Sequence, residues 1–359
     1  MKLPVNPPLL PMLAKRIDAL PGGDGFIFEP KWDGFRTLVF RDGDEILIES
    51  RDAKPLARYF PELLEPLKAQ LPERCVLDGE IVIVTGKGLD FDLLQMRLHP
   101  AQSRVKLLAG QIPASVAFFD CLALGEDDLR DAPFAERRKT LEKMLRKAKP
   151  PLHLTPSTTD RALAEDWFTR FEGAGFDGVM AKPAAGRYEP NKRTMFKVKH
   201  ERDCDCVVAG FRWHKNGKGT HVGSLLLGLY DGEGTLHHVG VAASFTEAKR
   251  RELVEYLTPY RISDLAGHPW QDWATAAGDE AQRRPGGESR WSQGKDLSWE
   301  PLKPELVVEV AYDHMQGTRF RHTAQFRRWR LDKTAKDCDF DQLEVVAPQE
   351  LQQIFGSGR

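Results

Sequence analysis

Cysteine is scarce in this chain of 359 residues: Cys75, Cys121, Cys204, Cys206 and Cys338 are an odd, scattered set. Such a set excludes a disulfide framework and fits reduced thiols. Cys204 and Cys206 form the one close pair; lacking a second pair or a histidine at zinc spacing, they read as half-buried strand cysteines. Long apolar runs are also missing: nothing approaches the roughly 20 residues that a membrane helix needs. Residues 1–13 contain four prolines and one lysine, without the basic start and apolar core of a secretory signal. A cytoplasmic protein is therefore expected. An excess of one charge is absent too, the formal net charge being −1, so any footprint of a nucleic-acid partner must be local. What is present is ordinary for a globular chain, 41% hydrophobic and 29% charged residues, long enough for two domains.

Along the chain, residues 25–28, 36–40 and 46–49 alternate as strands around an Asp42-Gly43-Asp44 turn. Leu63, Leu64, Leu67 and Leu71 recur at helical spacing after Pro61, predicting a helix over 60–71. Buried strands are expected at 76–84 and 115–124, a basic amphipathic helix at 133–147, a further helix at 162–174 closed by Gly175, and strands at 178–182 and 194–200. From Asp205 the texture changes to strands with glycine turns, at 206–211, 225–230, 237–244 and 306–312. The tryptophan-, glycine- and charge-rich run 267–303 reads as a long loop. These elements predict an α+β protein, with antiparallel sheets and flanking helices over 1–201 and a mostly β domain over 202–359.

The chemistry lies in short motifs. Lys31-Trp32-Asp33-Gly34-Phe35-Arg36 sits on a loop between strands. In order follow Ser50-Arg51-Asp52, Leu77-Asp78-Gly79-Glu80, Phe118-Phe119-Asp120, Asp177-Gly178-Val179-Met180-Ala181-Lys182, Phe196-Lys197-Val198-Lys199 and, near the end, Arg330-Leu331-Asp332-Lys333. By itself Lys-x-Asp-Gly is equally an ordinary hairpin turn. The ordered set, however, resembles the covalent nucleotidyltransferases, the superfamily of DNA ligases, RNA ligases and capping enzymes. With Arg187-Tyr188-Glu189-Pro190-Asn191-Lys192-Arg193 included, the likeness is to the minimal bacterial ATP-dependent DNA ligases of the LigC group, over most of the chain.

That resemblance implies an adenylation domain followed by an OB-fold domain, and three steps. Lys31 takes AMP from ATP, the AMP passes to the 5′-phosphate at a nick, and the 3′-hydroxyl displaces it. Catalytic roles fall on Lys31, Lys197 and Lys199. A lysine attacks only as the neutral amine, roughly one molecule in a thousand at an ordinary pKa near 10.4. Lys197 and Lys199, two apart on a strand and so on one face, would favour that form and offset charge growing on phosphate. ATP would be held by Glu29, Asp33, Arg36, Arg51, Glu80, Phe119 and Lys182, with Arg330 and Lys333 from the far domain. Of these, Arg36 and Arg51 suit phosphate, Glu80 suits ribose hydroxyls or metal, and Phe119 suits stacking on adenine while its neighbour Phe118 turns to the core. Mg²⁺ or Mn²⁺ would sit on Asp177 and Glu80. Two departures stand out: Asp177-Gly178 replaces the usual glutamate-glycine, and Ala53 follows Asp52 where many ligases have glycine soon after the arginine.

Arg319, Arg321, Arg327, Arg328, Arg330 and Lys333, interleaved with Phe320, Phe326 and Trp329, supply the local basic footprint that the net charge conceals. They fit a DNA-gripping surface or a basic helix anchored by its aromatics. The tip His214-Lys215-Asn216-Gly217-Lys218-Gly219 fits a phosphate contact or an exposed hairpin. A dead nucleic-acid-binding scaffold is opposed by retention of Lys31, Glu80, Lys197 and Lys199 together. An NAD-dependent ligase would need a four-cysteine zinc site. The expected partner is nicked duplex DNA, bound by a nucleoid-associated monomer in excision repair or end-joining, with Ku or primase-polymerase proteins as candidate partners.

Overall fold

The computed structural model describes residues 1–86, 88–271, 298–313 and 315–343, and the chain forms two compact units, Met1–Lys199 and His200–Val345. The first unit is organised by strands whose alternate residues serve two cores. In Ser115–Leu124, Val116 and Phe118 enter a core shared with helices, while Ala117 and Phe119 enter a core shared with a second sheet. The larger sheet runs Leu152–Leu154, Ser115–Leu124, Arg74–Val82, Phe35–Asp42, Glu45–Ser50, with Asp127–Asp128 paired beside the second of these. The smaller runs Leu13–Arg16, Arg193–Val198, Val179–Pro183, Phe26–Pro30. Pairing is antiparallel, as expected, except at Leu13–Arg16 and Leu152–Leu154. These two strands join their neighbours through long connections and lie parallel to them.

Between the two sheets pack Phe28, Val179, Ala181 and Val198 from one and Val82, Ala117 and Phe119 from the other. On the outer face of the larger sheet, Leu67, Leu141 and Leu145 from the helices Leu64–Gln70 and Phe134–Leu145 close the core. The helix expected at 60–71 begins as a 3₁₀ turn, Pro61–Leu63, because proline tolerates only the first turn. The helix expected at 162–174 is Arg161–Arg170, capped by the Asp160 carboxylate, followed by a 3₁₀ turn, Phe171–Ala174.

The second unit is a five-stranded antiparallel sheet in the order Leu236–Ala242, Val222–Tyr230, Arg202–Trp213, Glu300–Tyr312, Gln325–Trp329. Its two edges meet where the Ala324 N–H donates to the Val241 carbonyl at 2.9 Å, giving the partly open barrel of an OB fold. Helix Glu247–Leu257, capped by Thr246, inserts Leu253 and Leu257 into the barrel core. Three expectations need correction. Cys204 and Cys206 are fully buried, since the long strand that carries them is covered on both faces, and all five cysteines are free thiols. The basic segment after Arg319 is extended, Arg319–Phe320 and Gln325–Trp329, and not a helix, because it completes the barrel. The strand expected to begin at Leu306 begins at Glu300, so residues 300–303 are not loop; of the run 267–303, residues 272–297 lie outside the described residues. Among the described residues no helix is long and apolar enough to cross a membrane.

One buried ion pair ties helix Phe134–Leu145 to the larger sheet. Arg137, wholly buried, donates to both Asp120 oxygens at 2.8 and 3.0 Å and to the Ala132 and Gly186 carbonyls. Removing one member strands the other charge without solvent. Arg137→Ala is expected to lower the unfolding free energy by about 3–5 kcal/mol, measured by urea denaturation.

Candidate active site

Strand Phe26–Pro30 pairs with Val179–Pro183 up to Pro30 opposite Val179, which delivers Lys31 beside Gly178. There the backbone is clamped twice: the Lys31 N–H donates to the Gly178 carbonyl at 2.8 Å and the Asp177 N–H donates to the Lys31 carbonyl at 2.9 Å. Two glycines make this geometry possible. Gly178 has φ +126°, and a Cβ there would lie 2.0 Å from the Val198 carbonyl; a Cβ at Gly34 would lie 2.2 Å from the Ile81 carbonyl. Thus the glycine of Lys-x-Asp-Gly lets the lysine loop press on the strand that carries Glu80. Its counterpart after Asp177 presses on the strand that leads to Lys197 and Lys199.

The Lys31 ammonium is ion-paired with Asp177, and Lys199 reaches the same carboxylate oxygen at 3.0 Å. Burial works to raise the Asp177 carboxyl, but the two ammonium groups outweigh it and hold it below the ordinary range. Lys197 turns into the adjoining pocket, where burial pushes it down to about 8, helped by the charges of Lys31 and Lys199. Lys31, Lys197 and Lys199 thus lie together, and Lys31 and Lys199 are held by Asp177, an acid expected as a metal ligand.

Lys31, Lys197, Glu29, Arg36, Arg51, Glu80, Phe119 and Lys182 line one pocket together with Trp32. Phe118 lies in the helix-side core, so of the two phenylalanines only Phe119 faces the pocket. Arg36 lies over its ring at 4.5 Å and is held by Asp78 through both oxygens, at 2.5 and 2.6 Å. Tyr188 donates to Asp78 at 2.6 Å. Glu80 is raised to about 7 by burial, against the opposing pull of Arg36, Lys31 and the Gly34 N–H. Asp33 is partly buried and does not line the pocket.

At the pocket wall Glu29, almost wholly buried, accepts from Lys182 at 2.6 Å and from Arg138 at 2.9 Å. Arg138 and Asp78 were not singled out from sequence. For Arg138 a signal existed: with Arg137 it falls on the stripe of Phe134, Leu141 and Leu145, and arginines on an apolar helix face are buried only when paired.

Among the described residues no group of three or more histidine, cysteine, aspartate or glutamate side chains forms a ready cation cage. Mg²⁺ is ordinarily held by one or two carboxylates plus substrate phosphates, so Glu80 and Asp177, both hard oxygen donors beside Lys31, fit an ion that arrives with a nucleotide.

In the second unit Arg330 donates to Asp205 at 3.1 Å and to Asp332 at 2.8 Å, and Lys333 donates to Asp205 at 2.5 Å. Arg327 pairs with Glu201 and Arg328 with Glu309, at 2.7 and 2.8 Å, while Phe320 is buried in the barrel core with Phe326 and Trp329 packed against it. The basic footprint is thus largely neutralised by acids of its own unit.

A lysine clamped over a carboxylate beside a cation-lined pocket, in a chain that continues into an OB barrel, is the build of a nucleotidyl-transferring enzyme. Residues 11–199 match the family model described as ATP dependent DNA ligase domain, and residues 218–333 match the ATP dependent DNA ligase C terminal region. The chain is 56% identical to DNA ligase C2 of Mycolicibacterium smegmatis over 96% of both chains, and 53% identical to DNA ligase C of Mycobacterium tuberculosis over 99% of both. A solved structure from a study of Lig E DNA ligases, 18% identical, shares the fold with TM-score 0.54 over 89% of this chain and 99% of that one. The chain belongs to the ATP-dependent DNA ligase family, enzymes that use ATP and a divalent metal.

Because Gly178 has both a positive φ and no room for a side chain, Gly178→Ala is expected to destabilise by roughly 2–4 kcal/mol. Gly22→Ala, with nothing within 4 Å, stays within about 0.5 kcal/mol. Paired urea titrations measure both.

Proposed function

We propose that this ligase seals nicks with 3′-hydroxyl and 5′-phosphate ends in duplex DNA by carrying AMP on Lys31, with 1–201 as adenylation domain and 202–359 as OB-fold domain. The observation that carries this reading is the Lys31 amine lining the cation-rich pocket, with Lys197 in the same lining and Lys199 on the Asp177 carboxylate that Lys31 also meets. The Lys31 nitrogen attacks the α-phosphorus as the bond to pyrophosphate breaks. The AMP then passes to the 5′-phosphate, and the 3′-hydroxyl releases it on forming the phosphodiester.

Phosphoryl transfer of this kind asks chiefly for positioning and charge neutralisation. Lys197 and Lys199 supply charge at the phosphates, while Arg36 and Arg51 hold them. Phe119 stacks on adenine. Glu29, fixed between Lys182 and Arg138, offers an acceptor to the adenine amino group, and Lys182 braces it. Glu80 takes the ribose hydroxyls. Bound at Asp177 and Glu80, Mg²⁺ or Mn²⁺ would neutralise phosphate charge. Asp33 steadies the lysine loop, and Arg330 and Lys333 orient the departing pyrophosphate. A cytoplasmic monomer working at the nucleoid in excision repair or end-joining, with Ku or primase-polymerase proteins beside it, suits this activity.

ATP labelled at the α-phosphate, followed by a nicked duplex, tests the assignment. Wild type should take acid-labile label and chase it into sealed DNA, and Lys31→Ala should take none. Label that never chases would point to an RNA acceptor, and no label on wild type would sink the reading.

The pH dependence tests Glu80 separately. A carboxyl raised to about 7 carries its charge above that pH and loses it below. Single-turnover lysyl-AMP formation is therefore expected to fall more steeply below pH 7 in wild type than in Glu80→Gln, which is slow throughout. Equal slopes would remove Glu80 from the step.

A further inference from the structure

Helix Phe134–Leu145 and the turn after it hold seven basic residues and two acidic ones between Glu136 and Lys149, in a chain whose net charge is −1. Arg137 and Arg138 turn inward and are neutralised, and the second of them takes up Glu142 as well. Lys139, Lys143, Arg146, Lys147 and Lys149 face solvent, and none enters an ion pair among the described residues. Helices Arg161–Arg170 and Glu247–Leu257 differ: Arg161 pairs with Glu165, Arg170 with Asp166, Arg251 with Glu247 and Lys249 with Glu252. A solvated helix face normally balances its charges in this way; this one leaves five cations unmatched.

Three of the five, Lys139, Lys143 and Arg146, line one wall of an open groove whose far wall is the segment from Leu154 to Ser157. None of these three lines the nucleotide pocket. We propose that this groove is a second DNA contact of the first unit, gripping duplex backbone phosphates away from the pocket. Lys139 to Arg146 spans about 10 Å of helix axis, three steps of one strand at about 3.4 Å each. The lining has no aromatic side chain. Base stacking is therefore excluded, and the groove lacks the aromatic anchors on which protein partners depend. The one acid in the lining, Glu142, is taken up by Arg138, and Thr155 is buried with its hydroxyl accepting from the Trp32 indole, so the groove offers the three unpaired cations and the Ser157 hydroxyl. Phosphate oxygens accept from such groups without regard to sequence.

This inference rests on the ligase reading for its partner, and its test separates the two. Binding of a nicked duplex with a dideoxy 3′ end, which cannot be sealed, is followed by fluorescence anisotropy across a KCl series. Comparison is between wild type and Lys139→Gln/Lys143→Gln/Arg146→Gln. The slope of log affinity against log salt should become shallower by about two to three in the variant, with affinity at the lowest salt down about tenfold or more. Lysyl-AMP formation and thermal midpoint should not change. Lys139→Arg/Lys143→Arg/Arg146→Lys, which keeps the charges, should restore the slope. An unchanged slope and affinity would overturn the groove. So would unchanged DNA binding together with poly-glutamate bound by wild type but not by the variant, which would make it a protein-binding face. Since DNA binding needs no AMP, the slope decides the groove even if Lys31 never takes label.

Discussion

The first unit depends on one electrostatic constraint: charge removed from water must be matched by opposite charge within hydrogen-bond reach. Lys31 and Lys199 share Asp177, Lys182 and Arg138 share Glu29, Arg36 is matched to Asp78, and Arg137 to Asp120. Each pair joins segments distant in sequence. Glu29 ties the strand that precedes the lysine loop to the helix Phe134–Leu145, Asp78 ties the larger sheet to Tyr188, and Asp177 ties the lysine to the end of strand Arg193–Val198. The site is thus part of what fixes the register of the sheets, and the pocket comes with its charges already oriented. That matters for phosphoryl transfer, where positioning and preset charge do most of the work.

How legible this was in the amino-acid order depended on the range of the signal. Strand Phe35–Asp42 announces itself by alternation and Arg74–Val82 and Ser115–Leu124 by largely apolar runs, and the placing of Phe119 in the pocket with Phe118 in the core follows from the strand period of two. That the motif glycines serve close approaches needed the fold: Gly34 against Ile81 and Gly178 against Val198 are contacts between separate segments. The partner of each buried cation was the hardest to foresee. Asp177 is expected as a metal ligand because the family resemblance puts an acid at that position. Only strand pairing brings it under Lys31 and Lys199.

Other elements went unseen for local reasons. Helix Gln102–Gln111 buries only Val105 and Leu108, too narrow a stripe to stand out. Helix Glu247–Leu257 does carry a start signal, Thr246 as cap with Glu247 next, but it interrupts a run of strands and was absorbed into their texture. Strand Leu13–Arg16 ends in two cations and pairs in parallel with a partner about 180 residues later, so nothing local marks it.

In the proposed reading, the acids that complete the fold would also compete with the substrates. For Lys31 to attack phosphorus as proposed, Asp177 would have to release it, and a divalent cation arriving with the triphosphate could draw that carboxylate away. The same logic holds in the second unit, where Asp205 occupies both Arg330 and Lys333. Under the proposed reading, neither group exposes bare charge before a nucleotide comes, and each would exchange an internal carboxylate for a phosphate. Such exchange would cost far less desolvation than charging an empty pocket, because each cation keeps a partner until the ligand arrives. It also makes the chemistry conditional. In that reading, a nucleotide without metal would leave Asp177 on Lys31, and the lysine would stay an ion-pair partner.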